Sequence, residues 1–260
     1  LFIFNVTARS AERFLDELGT MQIWPAIDLR GGRCVRLVQG DYDRETTYAD
    51  DPAAVARQWV AQGAQQLHVV DLDGARDGRP VNVDAVWAIV RAANVPCELG
   101  GGIRDEEAIE QLLELGLSRL VIGTLALKQP DWFRQMCDKY PHKLVLGIDA
   151  RDGMVATEGW LETSQTAATD LAAQFQVSPV AAIVYTDIAR DGMLAGPNLD
   201  AMKQMKQAVD VPVIASGGVS SADDVARLAQ IPMDGCIIGK ALYEGQLSLG
   251  DALAAAGGAA

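Results

Sequence analysis

From Gln22 onward, short β-branched or aliphatic runs alternate with amphipathic stretches of helical period, and turn residues separate them. Eight runs read as strands: IWPAID, ending at Asp28; QLHVVDL, at Leu72; PCELGGG, at Gly102; RLVIGT, at Thr124; KLVLGIDA, at Ala150; AAIVYTDI, at Ile188; VPVIASGG, at Gly218; and GCIIGK, at Lys240. DPAAVARQWVAQG, VNVDAVWAIVRAAN, RDEEAIEQLLELG and SADDVARLAQ read as helices. Several open on Asp or Ser and close on Gly or Asn, which satisfy the free N–H and C=O groups of helix ends. Strands this apolar are buried on both faces, and eight of them alternating with helices predict a single (β/α)8 TIM barrel. A doubly wound sheet uses the same alternation but does not account for the repeat described next.

The chain resembles itself at half its length. VPCELGGGI at 95–103 aligns without gaps to VPVIASGGV at 211–219, and VIG at 121–123 to IIG at 237–239, both at an offset of 116 residues. IDLRGG at 27–32 answers IDARDG at 148–153, and VDLDGARDG at 70–78 answers TDIARDG at 186–192. Repetition on this scale predicts two similar half-barrels of four βα units each, and not a solenoid. The barrel is expected to occupy residues 21–260. Residues 1–20 are read as an N-terminal extension, or as sequence preceding a start at Met21.

Composition narrows the class of partner. Hydrophobic residues make up 49% of the chain and charged residues 22%, an ordinary globular balance, with 25 Gly for loops. A net charge of −13 argues against nucleic acid and anionic membrane, although backbone amides can still build a local phosphate site. Cys34, Cys97, Cys137 and Cys236 form no CxxC pair, which fits a reduced, cytoplasmic setting. The longest apolar runs fall well short of the ~20 residues that span a bilayer. The chain is expected to act as a monomer.

In a parallel barrel the active site lies at the carboxyl ends of the strands. Here those ends are polar. Asp28 ends the first strand and Asp149 lies near the end of the fifth, opposite it in an eight-membered ring; the sixth brings Thr186, and the loop after it Asp191. One such Asp reads equally well as a turn or helix cap, but three converging on one mouth suit acid–base work. The other ends are glycine clusters: Gly101 and Gly102 with Gly123 and Thr124, and, in the repeat, Gly217 and Gly218 with Gly239 and Lys240. Glycine lets the backbone approach a ligand, and successive N–H groups make an anion nest, so two cups predict a ligand with a phosphate at each end. Arg36 and Arg104 are candidates to pair with a phosphate or an intermediate, and Trp160 to stack on a planar ring. His68, inside LHVV, reads as a core or supporting histidine. No metal-ligand spacing and no nucleotide-binding or nucleophile-elbow motif occurs, so the expected chemistry uses neither metal nor cofactor.

WPAIDLRGGRCVRLVQGDY, LHVVDLDGA, ELGGGIR, YTDIARDGMLAGPN, VIASGGVS and GCIIGKALYEG together resemble the histidine-biosynthesis isomerases that act on the bisphosphorylated aminoaldose ProFAR. The resemblance runs from about Met21 to the C-terminus. It implies a barrel of two similar halves, an Amadori rearrangement of an aminoaldose to an aminoketose, and no cofactor. It places Asp28 at the general-base position, Asp149 and Asp191 at positions sharing the acid or charge-stabilising role, and Thr186 on the reacting ribose. One departure concerns specificity. Relatives that also isomerise phosphoribosylanthranilate carry Arg before the Gly-Trp, where this chain has Glu158. The alternatives are a dual-substrate isomerase, a catalytically silent phosphate-ligand barrel and, third, the sister cyclase, whose first-strand Cys-Leu-Asp is replaced here by Ala26-Ile27-Asp28.

Overall fold

The computed structural model describes residues 20–157 and 159–257; the expected extension, apart from Thr20, and Glu158 lie outside the described residues. Eight parallel strands close into a barrel: β1 (Gln22–Arg30), β4 (Leu67–Asp71), β5 (Cys97–Gly100), β6 (Arg119–Ile122), β7 (Leu144–Arg151), β10 (Ala182–Asp187), β11 (Val213–Ser216) and β12 (Gly235–Ile238). Pairing runs in chain order. β1 lies between β12 and β4, and β7–β10 completes the ring. All eight predicted runs are barrel strands, and the fold is a single (β/α)8 TIM barrel.

Helices cover the outside: α1 (Pro52–Ala61), α2 (Leu72–Asp77), α3 (Val83–Ala93), α4 (Glu106–Glu114), α5 (Thr124–Lys128), α6 (Pro130–Lys139), α7 (Ala168–Ala173), α8 (Leu199–Ala208), α9 (Ala222–Gln230), α10 (Lys240–Tyr243) and α11 (Leu249–Ala256). Their starts follow the capping chemistry read from the sequence. Asp51 accepts from Ala54 N, Asp105 from Ala108 N, and Ser221 forms a reciprocal capping box with Asp224. Ile89, Ile109, Leu112, Phe133 and Phe175, all fully buried, fill the layer between helices and strands. A second, smaller cluster of Trp24, Ala26, Val145, Ala182, Val184, Ile214 and Ile237 lies inside the barrel. No described helix is long and apolar enough to cross a membrane, and all four cysteines are buried free thiols.

Several barrel strands end one or two residues before their predicted ends, and two hairpins are inserted. The second strand stops at Asp71, one residue early, because Asp71 caps α2 with its side chain while Leu72 enters the helix. Two antiparallel hairpins also extend barrel strands at repeat-related places: β2 (Arg33–Val38) and β3 (Asp41–Ala49) after β1, and β8 (Met154–Thr157) and β9 (Glu162–Ala167) after β7. Their entry turns, Gly31-Gly32 and Asp152-Gly153, have positive φ at both central residues, as a type I′ hairpin requires. These dipeptides are hairpin signals. The charged residues of β3 mask them, because the strand is mostly exposed and shows no buried alternation.

Candidate active site

Asp28 faces the barrel interior from β1, above Trp24 and Ala26 on the same face. Arg36, on the neighbouring strand β2, donates from Nη1 to Asp28 Oδ2 at 2.8 Å, and both side chains are largely buried. The guanidinium packs against Gly239. A Cβ built there would stand 1.7 Å from Arg36 Nη2, so any larger residue at 239 displaces Arg36 from its present place.

Asp149 enters from β7, in register with Thr186 on β10. The Trp160 indole donates from Nε1 to Asp149 Oδ2 at 2.8 Å, and the Thr186 hydroxyl also bonds this carboxylate. Burial raises the Asp149 carboxyl above its ordinary value, while these two donors work in the opposite direction. Asp191 sits on the loop after β10. Burial pushes its carboxyl up to about 6; Arg36 partly offsets this, and Asp28 and Asp149 add to it by repulsion. The three carboxylates therefore share one field, with a single guanidinium between two of them.

Three loops interlock over this centre. The tip of the first hairpin rests on the Trp160 ring, where a Cβ on Gly40 would come within 2.6 Å. Gln39 Nε2 donates to Ala189 O at 3.1 Å, and Lys240 Nζ donates to Gly192 O at 3.0 Å. Trp160 itself holds φ +74°, in the left-handed region that a non-glycine residue enters only when its surroundings hold it there.

The glycine turns repeat in backbone geometry. Gly101 and Gly217 have φ +107° and +98°, and Gly102 and Gly218 have +77° and +86°. Gly123 and Gly239 precede α5 and α10 at φ/ψ of −101°/−100° and −110°/−98°, and no side chain caps either helix. Thr124 and Lys240 are the first residues of these two helices. The Cβ direction of Gly101 and Gly217 points at the carbonyls of Asp71 and Asp187, and that of Gly102 at the Arg79 backbone, so glycine is required at these turns by the packing beneath them.

The structure thus gathers Asp28, Arg36, Asp149, Trp160, Thr186, Asp191 and Gly239 around one mouth. Arg104 is placed differently. It is exposed and folds over Gly78 at the rim. Asp71 and Asp187, passed over in the sequence, end their strands as internal braces. Asp71 accepts from Gly74, Val81 and Asn82, and Asp187 from Ala189 and Asn198, with Asn82 and Asn198 equivalent in the repeat. Below the mouth, His68, Glu98 and Arg119 form a buried chain. His68 was read from the sequence as a core or supporting histidine; the signal for its partner is a charged Glu inside the apolar run PCELGGG.

The raised Asp191 makes stability depend on pH in a definite direction. Unfolded Asp releases its proton near 3.9, whereas folded Asp191 retains it to about 6. The stability this group contributes is full below the lower value and is lost as pH rises through the upper one. Asp191→Asn is expected to raise stability at pH 8 by about 1–3 kcal/mol and to flatten its fall between pH 4 and 7. Urea unfolding of both proteins at several pH values measures this.

Residues 22–248 match the family model described as histidine biosynthesis protein. A protein of Rhodopirellula baltica is 54% identical over 240 residues, covering 91% of this chain and 95% of its own. One from Synechocystis is 52% identical, covering 91% and 94%. Both carry the name 1-(5-phosphoribosyl)-5-((5-phosphoribosylamino)methylideneamino)imidazole-4-carboxamide isomerase. With these matches spanning the barrel and every strand that supplies its mouth, the chain belongs to the histidine biosynthesis protein family.

Proposed function

We propose that this protein isomerises ProFAR, converting the bisphosphorylated aminoaldose to its aminoketose by acid–base catalysis without metal or cofactor. The observation that carries the reading is the position of Asp28, Asp149 and Asp191 between two pairs of glycine turns of matching backbone angles. Each pair presents amides to one phosphate of a two-ended substrate, and the carboxylates lie under its middle. Gly101, Gly102, Gly123 and Thr124 serve one end, and Gly217, Gly218, Gly239 and Lys240 the other, with Arg36 and Arg104 as cationic partners. All these groups come from one chain, so the reading asks for no more than a monomer. Its four free thiols suit the cytoplasm.

The acid role falls to Asp191, because a carboxyl raised to about 6 keeps roughly a tenth of its population protonated at pH 7, far more than an ordinary Asp. Asp149, gripped by Trp160 and Thr186, is the better-supported carboxylate and stabilises positive charge on the substrate. Asp191 delivers its proton to the furanose oxygen, the C1–O bond breaks, and C1 and the amine nitrogen form a protonated imine. This acidifies C2. Asp28 removes the C2 proton, giving an enolamine, which takes a proton at C1 and ketonises at C2. Thr186 hydrogen-bonds the reacting ribose, and Trp160 stacks on a planar part of the ligand.

Ultraviolet absorbance on adding ProFAR, coupled to the downstream cyclase, tests the reading; binding without turnover would favour a silent phosphate-ligand barrel. A dual-substrate reading differs at Glu158. An anthranilate carboxylate brought within a few ångströms of a second carboxylate is repelled by about 1–4 kcal/mol. Phosphoribosylanthranilate activity is therefore expected to be weak and to increase in Glu158→Arg. Equal complementation of histidine and tryptophan auxotrophs by the unaltered protein would make the dual-substrate reading the better one.

A further inference from the structure

The two half-barrels differ at one level of the interior. Around the second half the inward positions are Val145, Val184, Ile214 and Gly235, three of them in the apolar inner cluster. The repeat-equivalent positions in the first half are Trp24, His68, Glu98 and Arg119. His68, Glu98 and Arg119 are register neighbours across β4, β5 and β6. Glu98 is fully buried. It meets His68 Nδ1 at 2.6 Å and accepts from Arg119 Nε at 2.5 Å, while the Arg119 guanidinium stacks 4.1 Å from the centre of the Trp24 ring.

Stability does not explain this chain. A buried ion pair is commonly no more stabilising than apolar residues of similar volume, and the second half fills the same level with such residues. Its geometry does have a chemical consequence. Burial alone would raise the Glu98 carboxyl, but His68 and Arg119 together bring it below its ordinary value, so it is an acceptor. In the neutral form of the His68 ring the 2.6 Å contact then requires the proton on Nδ1, which leaves Nε2 as an acceptor on the edge turned from Glu98. His68 is the register partner of Ala26, two residues below Asp28 on the inward face of β1, so the ring lies under the mouth.

We propose that Glu98, backed by Arg119, is a positioning residue that fixes His68 as the Nδ1–H tautomer, so that Nε2 accepts a hydrogen bond from a sugar hydroxyl of the ligand on the first-half side only. The proposal rests on the two-phosphate reading above. Matched cups would hold such a ligand in either direction, whereas an acceptor present in one half gives the ligand a single productive direction.

Two measurements test it. The protein has two histidines, and His142 is exposed, so nitrogen NMR of the labelled, ligand-free protein resolves His68 with His142 as an internal reference. The neutral His68 ring is expected to be Nδ1–H in the unaltered protein, and an Nε2–H or averaged ring would overturn the proposal. Glu98→Gln with Arg119→Met, which leaves no unpaired buried cation, is expected to lose the Nδ1–H preference. It should also lower kcat on ProFAR about 10–100-fold with KM changed less than about threefold. His68→Gln should lower kcat by a similar factor, and the triple variant by no more than either, because the residues act as one unit. Full kcat in the Glu98 variant, or additive losses, would also overturn it. If the unaltered protein does not turn over ProFAR, the substrate reading fails, while the tautomer measurement still decides whether Glu98 positions His68.

Discussion

Asp28→Asn is expected to lower kcat by about 10²–10⁴-fold, the range over which a positioned general base contributes. Asn is nearly isosteric, and its side-chain oxygen can still accept from Arg36 Nη1, so the 2.8 Å contact that orients the guanidinium against Gly239 survives in weakened form. The glycine turns are untouched. Ligand affinity is therefore expected to stay within about tenfold, and the loss to appear in kcat rather than KM. Asp28→Ala should be worse for the fold as well, because stripping a partner from a largely buried Arg costs about 3–5 kcal/mol. Steady-state kinetics separates the two effects, with thermal unfolding as the control. A variant retaining more than about 10% of kcat would remove Asp28 from the base role.

Gly101→Ala and Gly217→Ala are expected to be strongly destabilising. Each position has φ near +100°, which L-residues rarely adopt. An added methyl would lie 2.2 Å from the Asp71 carbonyl oxygen at 101, and 2.6 Å from that of Asp187 at 217. These are backbone atoms at strand ends that are themselves held by several hydrogen bonds, so neither can yield cheaply. Left-handed strain and overpacking together should cost about 3–5 kcal/mol at either site. A chain of this size should then melt roughly 6–15 °C lower. By contrast, Gly239→Ala meets the Arg36 guanidinium before any backbone atom, and should lower the melting temperature less than either turn substitution while weakening ligand binding. Differential scanning calorimetry of the three variants distinguishes these outcomes; equal melting temperatures would show that the turns relax.

The barrel was legible because burial on both faces forces parallel strands to be written as short, continuous apolar runs, and each of the eight runs became a barrel strand. The repeat was legible because equivalent turns need the same residues. Gly101 and Gly217, and Gly123 and Gly239, recur in sequence and in backbone angle. Strand-end position alone picked out Asp28, Asp149 and Thr186, since period and topology together state which end of a strand opens on the mouth. It did not separate them from Asp71 and Asp187, which also end strands but spend their oxygens on Asn82, Asn198 and loop amides. Only the hydrogen-bond partners distinguish a brace from a reactive carboxylate.

The sequence by itself determined the architecture, the two-half organisation and the set of polar groups at the strand ends, all properties carried by local pattern along the chain. The tertiary structure alone decided how those groups act on one another. Arg36 meets Asp28 because β2 folds back beside β1, Trp160 reaches Asp149 through the second hairpin, and Asp191 is raised because three carboxylates are buried together. The same holds for His68, Glu98 and Arg119, about 20 to 50 residues apart in sequence yet neighbours in register. Burial, ion pairing and proton affinity depend on distance in space, and closure of the barrel sets those distances.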